Sequence, residues 1–151
     1  MGDRVVLGIG NPDRGDDAIG LLVLDELRTR CGPDIDLSSG DGDPGWMIDA
    51  WEGRRVSVVV DAVHTGAAPG SVTVIDASAA PLPATTRLSS SHAMGVASSV
   101  ELARALGRLP DRLIVVGVEG RSFALGSEMS PEVAAAVKPA TVTVLEVLAD
   151  A

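Results

Sequence analysis

The chain has 151 residues, with 12 Lys and Arg against 21 Asp and Glu for a formal charge of −9, and it is 46% hydrophobic with one Phe, two Trp and no Tyr. That length suits one domain spanning residues 1–151 with a real core. The acidity excludes a phosphate-backbone partner, which needs clustered Lys and Arg, so neither nucleic acid nor an anionic membrane surface is expected.

With so few rings the core must come from Val, Leu, Ile and Ala, a composition that suits helices packed on a parallel sheet buried on both faces. Arg4 to Gly10 reads as a first strand, running into a glycine turn. Asp17 to Arg30 follows as a helix with Ile19, Leu22, Val23 and Leu27 near helical spacing, stopped by Gly32-Pro33. Ile35 to Leu37 is a short second strand, and Ser38 to Gly45, rich in Gly, Asp and Ser, is a loop. Pro44 to Trp51 is a helix closed by Gly53, and Arg55 to Val60 is a third, continuously apolar strand.

Thr65 to Gly70 is a turn, and Ser71 to Ile75 alternates like a half-exposed strand at an antiparallel edge. Ala77 to Ser91 carries two prolines and many small polar residues and reads as a long loop, a length that in compact domains usually serves function. His92 to Leu106 returns to helix and Leu113 to Val118 is the last strand. Ser130-Pro131-Glu132 opens a capped helix running toward Leu148, kinked or split near Lys138 by Pro139. The expected fold is therefore α/β: a three-layer α/β/α sandwich with right-handed crossovers and a mostly parallel, roughly five-stranded sheet. Cys31, the single cysteine, excludes an internal disulfide. No leader pattern opens the chain and no apolar run nears the roughly 20 residues of a spanning helix, so a soluble, cytoplasmic protein is expected.

In such sheets ligands collect outside the carboxyl ends of the strands, where the strand order switches. Asp17 follows the first strand and Asp61 ends the third, so both face one edge; His92 reaches it if the preceding loop folds over. Two carboxylates and an imidazole suit a borderline divalent ion such as nickel or zinc and leave positions open for a substrate. Each residue also has an ordinary explanation. Asp16 and Asp17 favour the positive end of a helix dipole, worth about 0.3–1 kcal/mol, and a loop histidine need not be a ligand. Asp61 is harder to dismiss, because a carboxylate ending a valine strand needs a partner. His64 competes for the same ion, Asp41 and Asp43 line or solvate the edge, Trp46 and Trp51 are packing residues, and Glu119 stays unassigned. A dinucleotide site fails because Asp13 stands where a third Gly or Ala belongs. A receiver-type signalling domain lacks its lysine, since the only one, Lys138, lies in the C-terminal helix. No serine or cysteine stands in a triad setting.

Gly8-Ile9-Gly10-Asn11, Asp16-Asp17-Ala18-Ile19-Gly20, Val60-Asp61-Ala62, Ser91-His92-Ala93-Met94-Gly95 and Val116-Gly117-Val118-Glu119 together resemble the hydrogenase maturation endopeptidases in identity, order and spacing. The resemblance implies an α/β/α protease that trims the C-terminal extension from the large-subunit precursor of a NiFe hydrogenase after nickel insertion. It implies metal-binding roles for Asp17, Asp61 and His92, which would engage nickel borne by the substrate, with zinc or cadmium able to substitute in vitro. Asp16 is then the candidate helper carboxylate, completing a catalytic set of Asp16, Asp17, Asp61 and His92. Where the family usually has an Asp-Gly-Gly-Thr-like segment, this chain has Ser39-Gly40-Asp41-Gly42-Asp43-Pro44-Gly45, which would border the substrate cleft. The alternative function is a metal-dependent hydrolase acting on another peptide or a small molecule.

Overall fold

The computed structural model describes residues 2–82 and 95–150. The elements in chain order are β1 (Arg4–Ile9), a 3-10 turn (Gly15–Ala18), α1 (Ile19–Arg28), β2 (Ile35–Gly40), α2 (Pro44–Trp51), β3 (Val56–Val63), β4 (Val72–Asp76), α3 (Gly95–Leu106), β5 (Arg112–Glu119) and α4 (Pro131–Ala149). The strands form one sheet in the order β2-β1-β3-β5-β4. All pairings are parallel except that of the edge strand β4 with β5, which is antiparallel.

The period-two alternation of strands buried on both faces divides the core in two. Val58 and Val60 of β3 pack with Ile19, Val23 and Leu27 of α1 and Val133, Ala140 and Val144 of α4 on one face. Val59 packs with Met47, Ile48 and Trp51 of α2 and Val96, Val100 and Ala103 of α3 on the other. Every residue of β3 is buried. Fully burying a valine is worth about 1.5–3 kcal/mol against exposing it, so a polar side chain in this strand must be held there by something specific.

Because β1 feeds β2 on one side and lies against β3 on the other, the strand order reverses between β1 and β3. The crevice outside their carboxyl ends is where such folds take ligands. Glycine makes the close approach at this point possible. A methyl group on Gly20 would stand 2.5 Å from the Val60 carbonyl oxygen and closer still to that of Ile9. One on Gly10 would run into the carbonyl of Asp17.

Several boundaries differ from the sequence expectation for identifiable reasons. β2 extends to Gly40 because parallel pairing continues through Ile9 and Gly40, overriding the weak strand propensity of Ser38 and Ser39. β3 runs past Asp61 to Val63, since β5 offers partners as far as Glu119. Asp61 therefore lies within the strand, opposite Gly117, and does not terminate it. The first helix begins at Ile19, with Asp17 in the preceding 3-10 turn. α4 is continuous through Pro139 and is not split. Pro139 and Ala135, whose carbonyl loses its usual donor, are both exposed, so water can take that bond. The expected loop beyond residue 82, and the helix start at His92, lie outside the described residues.

Candidate active site

Asp17 and Asp61 reach the switch point from different elements. Asp17 comes from the 3-10 turn that follows β1, and Asp61 from the carboxyl-terminal half of β3. Both are buried, at 1% and 0% exposure. Asp61 accepts one hydrogen bond through Oδ1, from the N–H of Ala62 at 2.8 Å. Its Oδ2 is buried and accepts none among the described residues. Burial, and after it the negative charge of Asp17, push the Asp61 carboxyl well above its ordinary range, with the Ala62 bond pulling weakly the other way. Two buried, mutually repelling carboxylates, one with an orphaned oxygen, form a site whose chemistry calls for a cation or a shared proton.

Asp16 sits one residue away and is held quite differently. Its Oδ2 accepts from the N–H groups of Arg121 at 2.8 Å and Ser122 at 2.9 Å and from the Ser130 hydroxyl at 2.7 Å, while Oδ1 accepts from the Ser130 N–H at 2.6 Å. Burial alone would raise this carboxyl, but those bonds outweigh it and hold Asp16 below the usual carboxylate range, ionised. Both oxygens are engaged in fixing the 121–130 loop, so the structure gives Asp16 an anchoring role. The same bond explains why Ser130 starts α4 without capping it: its hydroxyl donates to Asp16.

The other residues singled out in the sequence fall around this pair. His92 lies outside the described residues, and among those described no group of three or more His, Cys, Asp or Glu is placed to hold a metal. His64 is 62% exposed through its side chain, with Nδ1 3.9 Å from Glu119 Oε2 and its ring edge-on to Phe123 at 6.0 Å. Glu119, buried, accepts from the Thr65 N–H at 3.0 Å and hydroxyl at 2.6 Å, and so ties down the turn after β3. Asp43 caps α2 by accepting from the Trp46 N–H at 3.0 Å, and Asp41 is exposed. Trp51 is fully buried and donates through its indole N–H to the Arg108 carbonyl at 3.2 Å; Trp46 lies against Gly40. What sequence reasoning missed is the second loop at this edge, residues 121–130; its signal was the Ser130 expected as a cap.

The model of one family, described as hydrogenase maturation protease, matches residues 43–147. The chain belongs to the hydrogenase maturation protease family. It is accordingly a peptidase. Across 95% of its length it is 29% identical to the hydrogenase 2 maturation protease of Escherichia coli K12, covering 89% of that protein. It is 28% identical to the hydrogenase expression/formation protein HupD of Thiocapsa roseopersicina, over 96% of this chain and 67% of that one. Its fold matches the E. coli hydrogenase maturating endopeptidase HybD with a TM-score of 0.82 at 26% identity, over 99% of this chain and 93% of that one. The maturation protease HybD from Thermococcus kodakarensis shares the same fold, at a TM-score of 0.76 and 24% identity, over 97% and 99% of the two chains. In this maturation protease the buried aspartate pair lies at the carboxyl ends of β1 and β3, where the strand order reverses.

Proposed function

We propose that this protein removes the C-terminal extension of a NiFe hydrogenase large-subunit precursor after nickel insertion, and that nickel carried by the precursor is what it recognises. The observation that carries the reading is Asp61: a fully buried carboxylate with one oxygen lacking a hydrogen bond among the described residues, beside the like charge of Asp17. Such a pair suits a divalent cation supplied from outside better than a neutral ligand. His92 is the third ligand of this reading, giving two oxygens and one nitrogen and leaving positions for ligands of the precursor. Zinc or cadmium would occupy the same donor set in vitro.

Peptide hydrolysis needs an activated carbonyl, an attacking water and a proton for the departing amine. A cation held with the substrate polarises the carbonyl or lowers the pKa of water. The contribution of this chain is geometric: Asp17 and Asp61 come from rigid elements and hold the ion beside the scissile bond, while Asp16 fixes the loop that flanks it. In this sense the site is aspartate-based with no covalent nucleophile. A cytoplasmic location belongs to the same reading, and cell fractionation with an antibody to the chain would check it.

Purified protein is incubated with nickel-loaded and nickel-free precursor, and C-terminal mass loss is read by intact mass spectrometry. Loss from the loaded form alone is the expected result. Loss from both forms would remove nickel as the recognition element, and loss from neither would move the protease to another substrate.

A further inference from the structure

We infer that Glu119 is a positioning residue of this protease: by clamping Thr65 it fixes the end of β3 and, through that strand, the Asp61 carboxylate. The inference rests on the proposed reading of Asp61 as part of the active site.

The need for a clamp follows from the sheet. β3 has a strand on each side only as far as Val60, where its register with β1 ends at Gly8. Asp61, Ala62 and Val63 pair with β5 alone, opposite Gly117, Val118 and Glu119. The Asp61 carboxylate is aimed by a single hydrogen bond among the described residues, from the Ala62 N–H at 2.8 Å. Its direction therefore depends on the Asp61–Ala62 peptide, in the part of β3 that has lost one neighbour. The chain then leaves the sheet through a turn in which Gly66 and Gly70 stand at φ of +89° and +88°. Glycine restricts the backbone least, so contacts from elsewhere must hold this turn in place.

Glu119 supplies them. It ends β5 opposite Val63 and is 2% exposed. Thr65 donates through its N–H to both carboxylate oxygens, at 3.1 and 3.0 Å, and through its hydroxyl to Oε1 at 2.6 Å. The backbone of Glu119 closes the far side of the turn: its N–H donates to the Ser71 carbonyl and its carbonyl accepts from the Gly70 N–H, both at 2.8 Å. The next N–H, of Gly120, donates to the Val63 carbonyl at 3.0 Å. Gly120 also abuts the Asp16 side chain, because a methyl group on it would stand 3.1 Å from Asp16 Cβ. Residues 119–120 thus touch both segments that carry the aspartates, the end of β3 and the turn of Asp16 and Asp17. His64 Nδ1, at 3.9 Å from Oε2, is beyond hydrogen-bond reach and is no part of the clamp. Taking a carboxylate out of water offsets much of what its hydrogen bonds contribute to stability, so the lasting effect of burying Glu119 is geometric.

The test measures processing of nickel-loaded precursor, with kcat expressed per folded molecule, for wild type, Thr65→Val, Glu119→Ala, Glu119→Gln and the double variant Glu119→Ala with Thr65→Val. Displacing a reacting group by about 1 Å costs on the order of a hundredfold in rate. Glu119→Ala should therefore lower kcat about a hundredfold, and Thr65→Val, which keeps the N–H bond, about tenfold. Glu119→Gln should stay within about threefold of wild type, because its amide oxygen accepts from the Thr65 N–H and its amide nitrogen donates to the Thr65 hydroxyl. The double variant should match Glu119→Ala alone, since both substitutions break one set of bonds. Thr65 is exposed, so Thr65→Val should keep the wild-type urea midpoint and carry the test even where Glu119→Ala folds poorly. Wild-type kcat per folded molecule in Thr65→Val, or losses that multiply in the double variant, overturns the positioning role and leaves the protease standing. Failure of the wild type itself on the loaded precursor overturns the protease reading, and the role of Glu119 with it.

Discussion

Replacing Asp16 by Asn keeps the shape of the side chain and changes one oxygen into an amide nitrogen, and the surrounding geometry makes the cost calculable. The best placement leaves the Asn oxygen where Oδ2 was, keeping Arg121, Ser122 and the Ser130 hydroxyl. The amide nitrogen then faces the Ser130 N–H, a donor against a donor at a site where the wild-type bond is 2.6 Å. One bond to a charged acceptor is lost, about 2 kcal/mol, and a buried N–H goes unpaired at about 1–3 kcal/mol. The other bonds weaken on losing the charge, which the removed cost of burying a carboxylate offsets. The net is a destabilisation of about 3 kcal/mol. In a chain of 151 residues that lowers the melting temperature by roughly 6–12 °C.

Urea unfolding followed by the fluorescence of Trp46 and Trp51 measures it, and its pH dependence tests the cause. Asp16 has a folded pKa below its ordinary value, so the unfolded state binds more protons as pH falls below about 4. Its stabilisation is therefore present above that pH and lost as pH falls through the folded value. Asn does not titrate, so the deficit of the variant should be constant from pH 7 to about pH 4 and shrink below. A deficit under about 0.5 kcal/mol at pH 7, or one that widens in acid, would refute the anchoring role.

Asp61→Asn should act in the opposite sense on stability. Its folded pKa is raised, so wild type loses stability as pH rises above about 4, and the variant escapes that loss. The urea midpoint of the variant should exceed that of wild type at pH 7 and converge with it near pH 3.5, while precursor processing is abolished. Asp17→Ala should leave a folded protein by circular dichroism and no detectable mass loss from nickel-loaded precursor. Gly20→Ala should yield little soluble protein, because the methyl collides with the carbonyls of Ile9 and Val60; recovery at the wild-type level would show that the β1–β3 crossing relaxes easily. Titrated with nickel in calorimetry without precursor, the enzyme should bind far more weakly than in its presence; tight binding by the enzyme alone would make the metal its own.

The order of elements was legible in the sequence because it rests on local patterns. The apolar runs of β1, β3 and β5 and the proline-led start of α2 need no knowledge of neighbours, and the alternation of Ser71 to Ile75 marked the antiparallel edge that β4 occupies. The convergence of Asp17 and Asp61 on one edge also followed from the sequence, since a residue after the first strand and one near the end of the third must meet if the strands are parallel neighbours. What only the tertiary structure decided were features set by pairing and by distant partners. β2 and β3 run longer than their composition suggests because a neighbouring strand supplies the next hydrogen bond. Asp16 and Asp17 are adjacent and chemically identical in sequence, yet one is satisfied by backbone donors more than a hundred residues away and the other is turned to the buried carboxylate of Asp61. Periodicity reports which face a residue takes; it carries no information about which hydrogen-bond donors arrive from the other end of the chain, and those donors set Asp16 apart from its neighbour Asp17.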